Sequence, residues 1–132
     1  MFTLQQIRAA HAKVKSGIDF PAYVHEIKQL GLVHYDFLVK NGQTEYHGAN
    51  GLQVNGEARY PEKIISIQSS SIAVRQIIAE HQQGKSDFLT FCQLVAGAGV
   101  NKWVVDTQAM ICTYYDLAGN SLVAEPIPES GY

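Results

Sequence analysis

Residues 87–128 read DFLTFCQLVAGAGVNKWVVDTQAMICTYYDLAGNSLVAEPIP, and this stretch decides the fold. Its first part carries apolar residues at helical spacing: Phe88, Phe91, Cys92, Val95 and Ala96, with Ser86 placed as N-cap and Gly97 and Gly99 as terminators. The remainder switches to a period of two. Residues 102–106 (KWVVD) and 110–115 (MICTYY) read as strands, and the turn Leu117-Ala118-Gly119-Asn120 leads into a last strand over 121–125. Pro126 and Pro128 end regular structure. Alternation sets Trp103 and Val105 against Val104 and Asp106, and sets Met110, Cys112 and Tyr114 against Ile111, Thr113 and Tyr115. A helix feeding a tight-turned meander predicts an antiparallel α+β arrangement, since regular βαβ alternation is missing.

The same grammar extends to the N-terminus. Thr3 and Gln6 form a capping box, with Phe2 and Ile7 at the two staple positions. Leu4, Ile7, His11 and Val14 share one helix face, Lys13 and Lys15 favour its C-terminal end, and Gly17 can stop it. Asp19 is placed to cap a second helix, and Pro21 is tolerated in its first turn. Phe20, Tyr23, Val24, Ile27 and Leu30 form the apolar face of that helix, and Gly31 ends it. A sharp Ser16-Gly17-Ile18 connection makes residues 1–31 a helical hairpin.

Residues 33–67 read as short strands. HYDFLV at 34–39 is followed by the hairpin signal Asn41-Gly42 and a return strand TEYHG. Asn50-Gly51 and Asn55-Gly56 mark further turns, and the β-branched Ile64, Ile65 and Ile67 suggest a strand over 63–67. Ser69, Ser70 and Ser71 offer N-caps for a third helix to about His81, with Ala73, Val74, Ile77 and Ile78 on its stripe. With the helix after Ser86 it makes a second hairpin over 70–98, before the meander of 102–125. The expected fold is one α+β domain over 1–132, two helical hairpins packed on an antiparallel meander sheet in the order αα-βββ-αα-βββ. The two halves show only a loose echo of each other.

A chain of 132 residues can bury a sufficient core without staples. Only 17% of residues are charged, so little repulsion opposes self-association, and a homo-oligomer is an expectation. Ten Lys and Arg form no run and the net charge is −2, so nucleic acid is not an expected partner. No apolar run approaches the length of a membrane span, and MFTLQQIRAAHAK lacks the apolar core of a signal peptide, which points to a cytoplasmic protein. Cys92 and Cys112, the sole cysteines, read as buried reduced thiols.

Two clusters could carry function. Trp103, Asp106, Tyr114, Tyr115 and Asp116 lie on the C-terminal meander, where tyrosine and tryptophan suit a ligand or partner surface. The plain alternative makes Trp103 and Tyr114 core and both aspartates turn residues. In the N-terminal hairpin, Asn41-Gly42 can bring His34 and Asp36 opposite Glu45 and His47 as a metal or acid–base constellation. The plain alternative is a solvated polar face, with Tyr35, Phe37 and Tyr46 on the buried side. The five histidines contain no HxH or HxxxH pair, so no metal site is assigned. His11 and His81 lie on apolar helix faces as core or boundary residues. No nucleophile elbow or phosphate loop is present, and no cofactor is indicated.

The segment MFTLQQIRAAHAKVKSGIDFPAYV, the helix after Ser71, His81-Gln82-Gln83-Gly84, residues 88–92, residues 103–106, CTYYDLAG at 112–119 and Glu125-Pro126-Ile127-Pro128 together carry a resemblance. The chain resembles the YdfO-like family of small bacterial, often prophage-associated proteins, sometimes labelled phage envelope proteins. The resemblance implies a small α+β fold with an antiparallel sheet and no assigned catalytic residues. It also suggests, by analogy, a host protein partner. The leading expectation is a non-enzymatic accessory or protein-interaction protein. The alternative is a small-molecule-binding protein or enzyme using His34, Asp36, Glu45 and His47.

Overall fold

The computed structural model describes residues 2–15 and 17–128. Among them are four α-helices, α1 (Leu4–His11), α2 (Phe20–Gln29), α3 (Ser71–Gln82) and α4 (Phe88–Gly97). Six strands form one sheet: β1 (Leu32–Leu38), β2 (Gln43–Gly48), β3 (Gln53–Asn55), β4 (Lys102–Asp106), β5 (Ile111–Tyr115) and β6 (Ser121–Pro126). Their order is β3-β2-β1-β4-β5-β6, and every neighbouring pair is antiparallel. The echo between the halves is stronger in the sheet than in the sequence. Each half contributes a three-stranded meander, and the first strands, β1 and β4, pair at the centre through Tyr35↔Val105 and Phe37↔Trp103.

Helix starts follow local chemistry. Thr3 accepts from the Gln6 N–H at 3.2 Å while the Gln6 side chain accepts from the Thr3 N–H at 2.9 Å, completing the capping box, and Phe2 and Ile7 are both buried. Ser70 caps α3 by accepting from the Ala73 N–H. Two expected caps differ. Asp87, not Ser86, caps α4 by accepting from the Thr90 N–H at 2.7 Å, because a carboxylate is the stronger acceptor at a positive helix end. Asp19 occupies the N-cap of α2 but makes no capping bond, its carboxylate instead accepting from the Lys15 N–H at 2.9 Å. Ser16, in the expected turn between α1 and α2, lies outside the described residues.

The Asn41-Gly42 turn closes β1 on β2 as its residue types demand. Asn41 Oδ1 accepts from the Gln43 N–H, and Gly42 has φ +75°, where a Cβ would come within 2.8 Å of the Tyr60 ring.

The strand expected over 63–67 does not form. Its backbone finds isolated partners rather than a ladder, Lys63 N–H donating to Lys40 O and Ser66 N–H to Ala96 O. Ile64 and Ile67 are each 92% exposed, and only Ile65 turns into the core. β propensity without a free strand edge alongside does not make a strand.

One face of the sheet is buried and the other half-exposed. Tyr35, Phe37, Tyr46, Trp103, Val105, Cys112, Tyr114 and Val123 point to the helices, where Tyr23, Val24, Ile27, Val74, Ile78, Phe91, Cys92 and Val95 meet them in a continuous core. Thr107, fully buried just after β4, places Oγ1 2.5 Å from Leu32 O and 2.8 Å from Val33 O. It thereby fixes the end of β4 against the irregular start of β1.

Candidate functional site

Between the helices and the inner face of the sheet lies a cavity of about 690 Å³, a size that suits a small molecule. Its floor is aromatic: Tyr35 and Phe37 from β1, Tyr46 from β2, Trp103 from β4 and Tyr114 from β5. These positions follow from the period of two, which sends alternate residues of every strand to the same face. The walls include His11, Tyr23, Ile78, His81, Phe88 and Phe91 from the four helices. The lining reaches the surface at Lys15, Arg59 and Arg75, all exposed.

The buried aromatic rings pack on one another: Tyr35 meets Tyr23 at 6.5 Å and Tyr46 at 5.9 Å between ring centroids, and Trp103 meets Tyr114 at 5.7 Å. Burial pushes the phenols of Tyr23, Tyr35 and Tyr114 well above their ordinary range, so they are neutral donors and acceptors at any physiological pH. Burial likewise pushes the Cys112 thiol up to about 12 and the Cys92 thiol up to about 11. Neither supplies thiolate at neutral pH.

Both cavity histidines are held below their ordinary range, by burial first. Arg59 adds to the effect at His11, while the Ser86 carbonyl and Asp87 oppose it at His81. His11 meets Tyr23 edge-on with ring centroids 5.3 Å apart, and His81 stacks on Phe91 at 4.3 Å with Nδ1 3.0 Å from Ser86 O. Among the cavity's ionisable side chains, Glu125 is held by the Gln82 amide at 3.3 Å.

The five residues singled out on the C-terminal meander do not share a surface. Trp103 and Tyr114, 5.7 Å apart, are buried in the cavity floor. Asp106 and Asp116 are turn residues: Asp106 accepts from the Gln108 and Ala109 N–H groups, and Asp116 from those of Ala118 and Asn120. Hydrogen bonds to the Asn120 backbone hold the Asp116 carboxyl below its usual range. Tyr115, on the other sheet face, lies under Lys102, whose Nζ is 5.7 Å from the ring centroid.

The N-terminal hairpin does bring its polar residues together, on the outer face and away from the cavity. His34 pairs in register with His47 and Asp36 with Glu45. The imidazoles stack with centroids 4.2 Å apart and planes 10° from parallel. His34 Nε2 lies 3.9 Å from Asp36 Oδ1, and Lys102 Nζ lies 3.3 Å from Asp36 Oδ2. One donor atom from each of His34, Asp36 and His47 falls within 4.8 Å of the others, a set that does not include Glu45.

Sequence reasoning found the aromatic residues but not the cavity, and it missed Arg59, Arg75 and Thr107. Arg59 follows an irregular stretch and Arg75 sits on an exposed helix position, so neither carries a local signal. Thr107 follows a strand, where its type reads as a turn residue.

The fold and cavity define a class: an α+β protein with a ligand-sized chamber between helices and sheet. Residues 8–126 match the family described as "Protein of unknown function (DUF1398)", and the chain belongs to that family. It is also similar to the uncharacterized protein YcgX of Escherichia coli (strain K12), at 24% identity over 117 residues, covering 87% of this chain and 86% of the relative. No helix among the described residues is long and apolar enough to cross a membrane.

Proposed function

We propose that this protein binds a small amphipathic molecule, apolar or aromatic in its body and anionic at one end. The observation that carries this reading is the cavity of about 690 Å³, floored by Trp103 and tyrosines and reaching the surface at Lys15, Arg59 and Arg75. Aromatic walls favour a flat apolar body, and arginines favour a carboxylate, sulfonate or phosphate. The cavity thiol is protonated at neutral pH and the phenols of Tyr23, Tyr35 and Tyr114 are neutral, so the lining suits recognition better than covalent chemistry. The protein then acts as a binding or accessory protein, which keeps the non-enzymatic expectation and moves the ligand site from the outer hairpin to the inner cavity.

Calorimetric titration with 1-anilinonaphthalene-8-sulfonate, an apolar aromatic sulfonate, tests this. One saturable site is expected in the folded chain, weakened roughly tenfold or more by Arg59→Ala with Arg75→Ala, as befits loss of charge-assisted contacts. Binding that ignores both substitutions would remove the anionic half of the reading, and no binding at all would remove the whole.

A second reading rests on Ile64, Ile67 and Ile72, which are 92%, 92% and 83% exposed around the approach to α3. Such isoleucines suit self-association or a host protein partner, and a YdfO-like, prophage-linked role in the cytoplasm would sit here. Light scattering across a dilution series checks it: Ile64→Glu with Ile67→Glu should abolish any dimer, and a monomer at all concentrations would discard the homo-oligomer.

A further inference from the structure

We propose that His34, Asp36 and His47 form a divalent transition-metal site on the outer face of the sheet, independent of the cavity. The donors come from two strands, His34 and Asp36 two residues apart on β1 and His47 opposite on β2. No HxH or HxxxH pair announces such a site, because strand pairing rather than helical spacing brings its two histidines together.

The chemistry of the set is specific. Two imidazoles and one carboxylate are borderline ligands that favour zinc-like cations over calcium or magnesium, which take oxygen donors. Three protein donors leave a position for water, as in zinc sites that remain open. The distances are close to those required. Tetrahedral zinc, with bonds of about 2.0–2.1 Å, holds its donors roughly 3.4 Å apart. Here all three fall within 4.8 Å, and His34 Nε2 to Asp36 Oδ1 is 3.9 Å. Rotation of the imidazoles about their terminal torsions, which are soft, opens the stack and closes the remainder.

The carboxylate is already divided between two tasks. Its Oδ2 holds Lys102 at 3.3 Å, which leaves Oδ1, the oxygen nearer His34, for the cation. All three side chains are partly buried, and the antiparallel register sets His34 opposite His47, so the donors are already gathered before a cation arrives.

The test uses Zn²⁺ by calorimetry and Co²⁺ by its visible absorption, on the full chain stripped with a chelator. One equivalent is expected to bind, with a Co²⁺ spectrum of four-coordinate type. His47→Ala and Asp36→Asn should each weaken Zn²⁺ roughly tenfold or more, the size of effect expected when a site loses a ligand or its orienting partner. His25→Ala, on α2 and outside the cluster, should change nothing. Unchanged melting temperatures of the metal-free variants establish that they fold. Absence of Zn²⁺ binding at millimolar concentration overturns the proposal, as does binding lost with His25→Ala or retained without His47.

Discussion

Phe37 on β1 and Trp103 on β4 stack face to face, with ring centroids 4.2 Å apart and planes 14° from parallel, across the strand pair that joins the two halves of the sheet. Phe88 meets both rings edge-on, at 5.4 and 6.2 Å, and ties α4 to the seam. Trp103→Ala should therefore cost about 3–5 kcal/mol of stability, the range for emptying a large aromatic core position. Urea unfolding followed by far-UV circular dichroism measures it. A loss below about 1 kcal/mol would mean that the seam does not organise the core.

Thr107 makes a second, polar link across that seam. Thr107→Val keeps the shape and removes the hydroxyl that reaches Leu32 O and Val33 O. A buried carbonyl left without its donor costs about 1–3 kcal/mol. The same unfolding experiment should show a loss in that range, while Thr113→Val, on the half-exposed outer face, should stay within about 0.5 kcal/mol.

Stability should decline as pH falls below neutrality. Burial holds His11 and His81 below the ordinary value of 6.5, so the folded chain binds fewer protons than the unfolded one in the window just under 6.5. Their contribution is complete above that value and is lost as pH drops towards the lowered folded values. Melting temperature measured between pH 7.5 and 5.5 should fall, and His11→Phe should flatten the slope. A slope unchanged by that substitution would show that His11 is not the group involved.

Cys92 and Cys112 are free and buried, with thiols pushed up to about 11 and about 12. Cys92 is further enclosed by Tyr60, whose hydroxyl donates to Val39 O at 2.5 Å. Both thiols should resist an aromatic disulfide reagent in the native chain and react promptly in denaturant. Fast reaction of either thiol under native conditions would contradict the packing around it.

Much of the α+β character was legible because it is written in local periods. KWVVD and ICTYY alternate, Asn41-Gly42 is a hairpin turn by residue type, and Thr3 with Gln6 announces a helix start. The segment around Ile64 and Ile67 carries β propensity in its residue types, but whether a strand forms depends on a pairing partner that no local pattern specifies. At the candidate sites, the opposition of His34 and His47 followed from the hairpin turn. The cavity did not, because its lining is drawn from four helices and several strands that only tertiary packing brings together. Arg59 and Arg75 gain meaning only once the chamber beneath them is known.

The most direct measurement is energy transfer from Trp103, the single tryptophan of the chain and part of the cavity floor, to bound 1-anilinonaphthalene-8-sulfonate. Occupation of the cavity predicts saturable quenching of Trp103 matched by sensitised probe emission, with one site per chain and reduced affinity in the Arg59→Ala/Arg75→Ala variant. Probe emission without Trp103 quenching, or no saturable change in the folded protein, would contradict a ligand site between the helices and the sheet.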